Sequence, residues 1–146
     1  MELQESKIKN KIIEAFEKEF EFIKDKFELI DLLANNSSMD AKTINALKLP
    51  SADCNIVWHP GVYLFIGNNT LYRVGVSLNN SRERVMQHLD ACTRKDGYGI
   101  WDINKFEDKS ILLFNVKKKE YRHWLLSLEA YIEINFEPKI KARRIG

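Results

Sequence analysis

The chain has 146 residues, 45% of them apolar and 30% charged, with 23 Lys and Arg against 21 Asp and Glu. That balance suits one compact globular domain with an appendage, and it excludes a disordered or fibrous chain. No apolar run reaches the roughly 18 residues of a membrane span. Cys54 and Cys92 form neither a metal spacing nor a disulfide framework. A net charge of +2 is too small to imply a polyanionic partner by itself.

The opening MELQESKIKN lacks the basic-then-apolar order of a signal peptide, which points to an intracellular, cytoplasmic setting. Residues 4–34 are predicted as one long helix, because Ile13, Phe16, Phe20, Ile23, Phe27 and Ile30 recur at alternating spacings of three and four. Such a stripe must be covered, either by packing on the rest of the chain or by a second copy in a homodimer. Asn35–Ser38 ends this helix, and Ser38 or Asp40 can cap a short second one that stops near Leu47, before Pro50. Residues 1–50 therefore read as a helical N-terminal extension, and residues 51–146 as the domain that carries the chemistry.

Ile56-Val57-Trp58 reads as a short extended segment, and His59 as a loop residue. Pro60-Gly61 then starts a strand, Val62–Ile66, of β-branched and aromatic residues. Gly67-Asn68-Asn69 has hairpin-turn chemistry, and a second strand runs from Thr70 to Ser77. Asn79-Asn80-Ser81 offers N-caps to a helix from Arg82 onward, with Val85 and Leu89 inward. Thr93–Gly99 is a loop. Ser110–Val116 is a third strand, apolar on both faces and so central or well covered. A last helix spans about Lys118–Phe136 with Leu125, Leu128, Ile132 and Phe136 inward, and Pro138 ends it. This order predicts an α+β fold with a small, mostly antiparallel sheet flanked by helices.

Four side chains stand out for chemistry. Arg84 and His88 are four apart and share a helix face. Glu129 lies at the edge of its helix's apolar stripe, where a partly desolvated carboxylate wants a cation, either a metal ion or an arginine such as Arg84. Tyr63 shares one strand face with Phe65. Residues 117–146 carry 8 basic against 4 acidic groups, clustered as Lys117, Lys118 and Lys119 and then as Lys139, Lys141, Arg143 and Arg144. Those clusters could contact phosphates or form a solvated helix start and a tail. Trp101 could stack on a base.

These pieces, in this order, resemble the GIY-YIG nuclease family over roughly residues 60–141. Gly61-Val62-Tyr63 matches the first signature triplet, and Val74-Gly75 the end of the second. Arg84 and His88 match the R-x-x-x-H helix, Glu129 the helical glutamate, and Pro138 the closing proline. The resemblance implies a three-stranded sheet and a metal-dependent DNA endonuclease. One Mg²⁺ or Mn²⁺ would bind Glu129, Arg84 would clamp the scissile phosphate, and Tyr63 or Tyr72 with His88 would activate the water. The alternative is a non-catalytic nucleic-acid-binding or interaction domain on the same scaffold. Three features depart from the pattern. Tyr72 stands one residue early, with Arg73 at the expected tyrosine position. One extra residue separates Gly75 from Arg84. Lys141 stands where asparagine is expected. Strict alternation would put Tyr72 and Arg73 on opposite faces, so either a bulge turns Tyr72 inward or Arg73 adds a second cation.

Overall fold

The computed structural model describes residues 7–33, 56, 58–92, 106 and 108–140, with side chains on the second helix as far as Gln87. The expected helix over 38–47, the loop 93–99, Trp101, Lys141, Arg143 and Arg144 lie outside the described residues. The elements are α1 (Ile8–Glu19), β1 (Phe27–Asp31), β2 (Gly61–Gly67), β3 (Thr70–Ser77), α2 (Ser81–Cys92), β4 (Lys109–Val116) and α3 (Trp124–Phe136). No helix among the described residues is long and apolar enough to cross a membrane.

The fold is α+β, as predicted, with one correction to its sheet. Among the described residues, four antiparallel strands lie in the order β1-β4-β2-β3, where three were expected. The fourth comes from the segment predicted to be helix. α1 ends at Glu19, a single helical turn covers Lys24–Lys26, and Phe27–Asp31 is a strand. The reason is tertiary. β4 is apolar on both faces, and its backbone needs a partner on each edge. Phe27–Asp31 supplies the second edge, with Phe27 opposite Val116 and Ile30 opposite Leu113. Phe27 and Ile30, which a helix would set on one stripe, consequently face opposite sides of the sheet.

One face of the sheet buries Val62, Leu64, Ile66, Leu71, Val74, Phe27, Leu112 and Phe114 under α1 and α3. Ile12 and Phe16 from α1 and Leu125, Leu128 and Ile132 from α3 close that core. Each such side chain contributes roughly 1.5–3 kcal/mol by leaving water. The N-terminal stripe is thus covered within the chain, Phe16 stacking on Phe20 and meeting Phe27 and Phe114 edge-on or tilted. The other face buries Tyr63, Phe65, Ile111, Leu113, Ile30 and Tyr72, with Val85 of α2 over it.

Local signals set the hairpin and the helix after it. Asn68 and Asn69 have φ of 51° and 57°, the paired left-handed geometry of a two-residue turn between Gly67 and Thr70. Asn69 Oδ1 also accepts the first N–H of α1 at 2.7 Å, tying the extension to the hairpin. Asn80 caps α2, its Oδ1 accepting the Glu83 N–H at 3.0 Å. Ile56 and Trp58, expected to be extended, instead sit in a turn closed by the His59 N–H on the Ile56 carbonyl at 3.0 Å. α3 begins at Trp124 rather than near Lys118, after a short helical turn at Lys119–Tyr121. It ends where Glu137 turns left-handed ahead of the buried Pro138.

Candidate functional site

Glycine 75 decides where Tyr63 lies. The two residues face one another across β2 and β3, and a Cβ at Gly75 would overlap the Tyr63 hydroxyl and Cζ, and would come within 2.6 Å of Cε1. The phenol ring therefore lies across bare backbone, pointing over β3, the last strand of the sheet. Tyr63 is 3% exposed.

Three charged side chains act on this phenol. Arg84 of α2 donates a hydrogen bond to it, and both Arg73 and Glu129 lie within electrostatic reach. Burial has the largest influence and raises the phenol's pKa above its ordinary 10.0. Arg84 and Arg73 pull it down, and Glu129 pushes it up. The net direction is upward, so Tyr63 is a protonated phenol near neutral pH. Two guanidiniums do not ionise it, because desolvation outweighs them.

Arg73 lies on this face by regular pairing with Phe65, and a bulge brings Tyr72 to the same side. β2 and β3 are in register from Gly61 opposite Ser77 to Phe65 opposite Arg73, and then Ile66 faces Leu71, leaving Tyr72 as the extra residue. Leu71 and Val74 go to the α1–α3 side, whereas Tyr72 packs with Tyr63 and Phe65. The expected opposition of Tyr72 and Arg73 is therefore corrected: the added residue resets the alternation, and both occupy the Tyr63 side. They differ in surroundings. Tyr72 packs against Phe106, and the Lys139 ammonium lies 5.1 Å from its ring centroid. Residues 139 and 140 reach this position because their N–H groups bond the carbonyls of Leu71 and Tyr72 at 3.0 and 2.7 Å, along the outer edge of β3.

Glu129 comes from α3, whose inner residues Leu125, Leu128 and Ile132 lie on the opposite side of the sheet. Only 7% exposed, it still acts on the Tyr63 phenol. β3 ends the sheet there, so groups from both faces can meet around its edge. A single buried carboxylate fits the donor needs of one Mg²⁺ or Mn²⁺, which keeps waters and substrate oxygens as its other ligands. Among the described residues, no group of three or more His, Cys, Asp and Glu converges.

Arg84 is exposed, and its Nη1 donates to Gln87 Oε1 at 3.0 Å. With Ser77, Asn79, Asn80, Glu83 and Gln87 it lines an open depression of about 210 Å³. His88 follows in α2, and its side chain lies outside the described residues. Lys117, Lys118 and Lys119 are exposed at the far end of β4.

One supporting network has no counterpart in the sequence reading. Asn115 is fully buried in β4; its Oδ1 accepts the Ser81 hydroxyl at 2.6 Å, and its Nδ2 donates to the Ile56 carbonyl at 2.8 Å. A Cβ at Gly61 would overlap that carboxamide, coming within 2.8 Å of its Cγ. The amide thus pins the start of α2, and with it Arg84, to the central strands. A polar residue inside the run Ile-Leu-Leu-Phe-Asn-Val is the signal that could have found it, since buried amides need partners. His59 adds a second latch, its Nδ1–H donating to the Val116 carbonyl at 2.8 Å.

Compared with known proteins, the chain matches no protein-family model, no curated protein and no solved structure.

Proposed function

We propose that this protein is a metal-dependent DNA endonuclease of the GIY-YIG type. The observation that carries the reading is the convergence on one phenol of Arg84 from α2, Arg73 from β3 and Glu129 from α3, three elements distant in sequence. Two guanidiniums beside a buried carboxylate suit a phosphodiester, which needs its negative charge balanced and its leaving oxygen stabilised. A divalent ion on Glu129 supplies Lewis-acid stabilisation of that charge.

The chain's own groups do the rest. Arg84 and Arg73 hold the non-bridging oxygens and fix the phosphate in line with the attacking water. Tyr63, protonated and held by Arg84, positions that water through its phenolic oxygen. The proton leaving the water is assigned to His88, because imidazoles titrate near neutrality. Tyr72, with Phe106 and Lys139 against its ring, is a wall of the site rather than a second base.

Incubation with supercoiled plasmid in Mg²⁺ or Mn²⁺ should give nicked or linear product, and EDTA should abolish it. Intact plasmid in both metals, from folded protein, overturns the nuclease reading. A second reading, a phosphate-binding domain that does not cut, draws on the raised Tyr63 pKa and on Arg73 standing where the family has a phenol. Salt-dependent DNA binding without cleavage selects it.

A further inference from the structure

The lysines of the N-terminal segment and those after β4 are 91 or more residues apart in sequence, yet the sheet brings them together. Phe27 pairs with Val116, and the Lys117 N–H continues the ladder to the Lys26 carbonyl at 2.8 Å. Lys24, Lys117, Lys118 and Lys119 are exposed, and the Lys26 ammonium sits 4.2 Å from the centroid of the Tyr121 ring. Asp25 and Glu120 are interleaved with them, so five ammonium groups outnumber the carboxylates of these two turns.

We propose that Lys24, Lys26, Lys117, Lys118 and Lys119 form one composite site for the phosphate backbone of a nucleic acid, flanking the phosphate held at Arg84. This rests on the nuclease reading for its substrate class, and the placement argues for it. The patch lies at the end of the sheet where β2 starts and α2 begins, the end from which Arg84 reaches Tyr63. Three strand spacings separate β1 from β3, about 14 Å. One strand of B-DNA presents a phosphate every 3.4 Å or so of axis, so a duplex seated on the site passes about four phosphates before the patch. Exposed ammonium groups suit this role, because they contact phosphates without reading bases. The N-terminal segment thereby acquires a function beyond covering the sheet: it brings part of the substrate-holding surface.

The opposite end of the sheet supplies the control. Lys7 and Lys11 are exposed there, where the Ile8 N–H meets the hairpin turn at Asn69. The double variants Lys24→Ala/Lys118→Ala and Lys7→Ala/Lys11→Ala remove equal charge from the two ends and leave Lys26 on its aromatic ring. Binding of a labelled DNA duplex, by anisotropy across a salt series in EDTA, reads out the site without cleavage. The patch variant should bind more weakly, and its slope of log affinity on log salt should fall by about 2, near 0.9 per lost phosphate contact. The control should keep the wild-type slope. Equal effects in both variants, no effect in the patch variant, or no duplex binding by the wild type overturns the proposal. Cleavage by a patch variant that binds like wild type removes the patch and keeps the nuclease. Patch-dependent binding by a protein that never cuts does the reverse.

Discussion

The substitution Gly75→Ala adds one methyl group and tests how the candidate site is built. That methyl would overlap the Tyr63 Cζ and hydroxyl oxygen, and the ring cannot retreat into a face that also buries Phe65, Leu113 and Val85. Overpacking a closed core costs about 1–3 kcal/mol. Displacing the phenol also loses the hydrogen bond from Arg84, a charge-assisted contact worth about 1.5–3 kcal/mol, and toward the low end here because Arg84 is exposed. The sum is about 3 kcal/mol, or roughly 6–12 °C in Tm for a chain of this size. Urea denaturation followed by tryptophan fluorescence measures it. A double-mutant cycle with Tyr63→Leu, which removes Cζ and the hydroxyl, should recover most of the loss, because the clash exists only when both groups are present. A Gly75→Ala variant within about 0.5 kcal/mol of wild type, the ordinary range for a surface change, would refute the claim that glycine is there to admit the phenol.

Glu129→Gln should abolish plasmid cleavage while leaving duplex binding in EDTA within about twofold, since an amide keeps the shape but not the charge a divalent ion needs; undiminished cutting in Mg²⁺ would show that the carboxylate is not the metal ligand. Arg73→Ala should lower the cleavage rate on the order of 10²-fold and Tyr72→Phe little, the magnitude being that of one lost charge-stabilising donor; the reverse order would return the catalytic part to Tyr72. Tyr63 titrates above 10.0 in the folded protein because it is buried, so the folded state holds this proton more tightly than the unfolded chain. Its contribution is whole below about pH 10 and is lost as pH rises through the folded-state value, so above about pH 10 the urea midpoint of wild type should fall with pH more than that of Tyr63→Phe; equal declines would contradict the buried phenol. Asn115→Ala should cost about 2–4 kcal/mol, because it strands the Ser81 hydroxyl and the Ile56 carbonyl in a buried site; a change below about 1 kcal/mol would mean water replaces the amide without loss.

Local chemistry was enough to read the hairpin, the Asn80-capped helix, the apolar third strand and the final helix. Each is specified by residues within a few positions of one another: two asparagines that tolerate positive φ, a side-chain oxygen three residues before an N–H, an apolar period of two or of 3.6. The candidate residues Tyr63, Arg84 and Glu129 were legible for the same reason, as polar groups at marked positions on such elements. Tertiary structure alone decided three things. Phe27–Asp31 became a strand because β4 had an edge to satisfy, and a stripe that reads equally well as helix carries no record of that demand. Tyr72 and Arg73 came to one side because β3 bulges, and a bulge is set by the register of two strands rather than by either one. The Tyr63 pKa rises rather than falls because burial outweighs its two arginines, a balance that depends on what covers the ring. The amino-acid sequence by itself determines which groups are available and where the chain turns; pairing, burial and long-range contact exist only once distant segments meet, and those settle their faces, their partners and how tightly the buried phenol holds its proton.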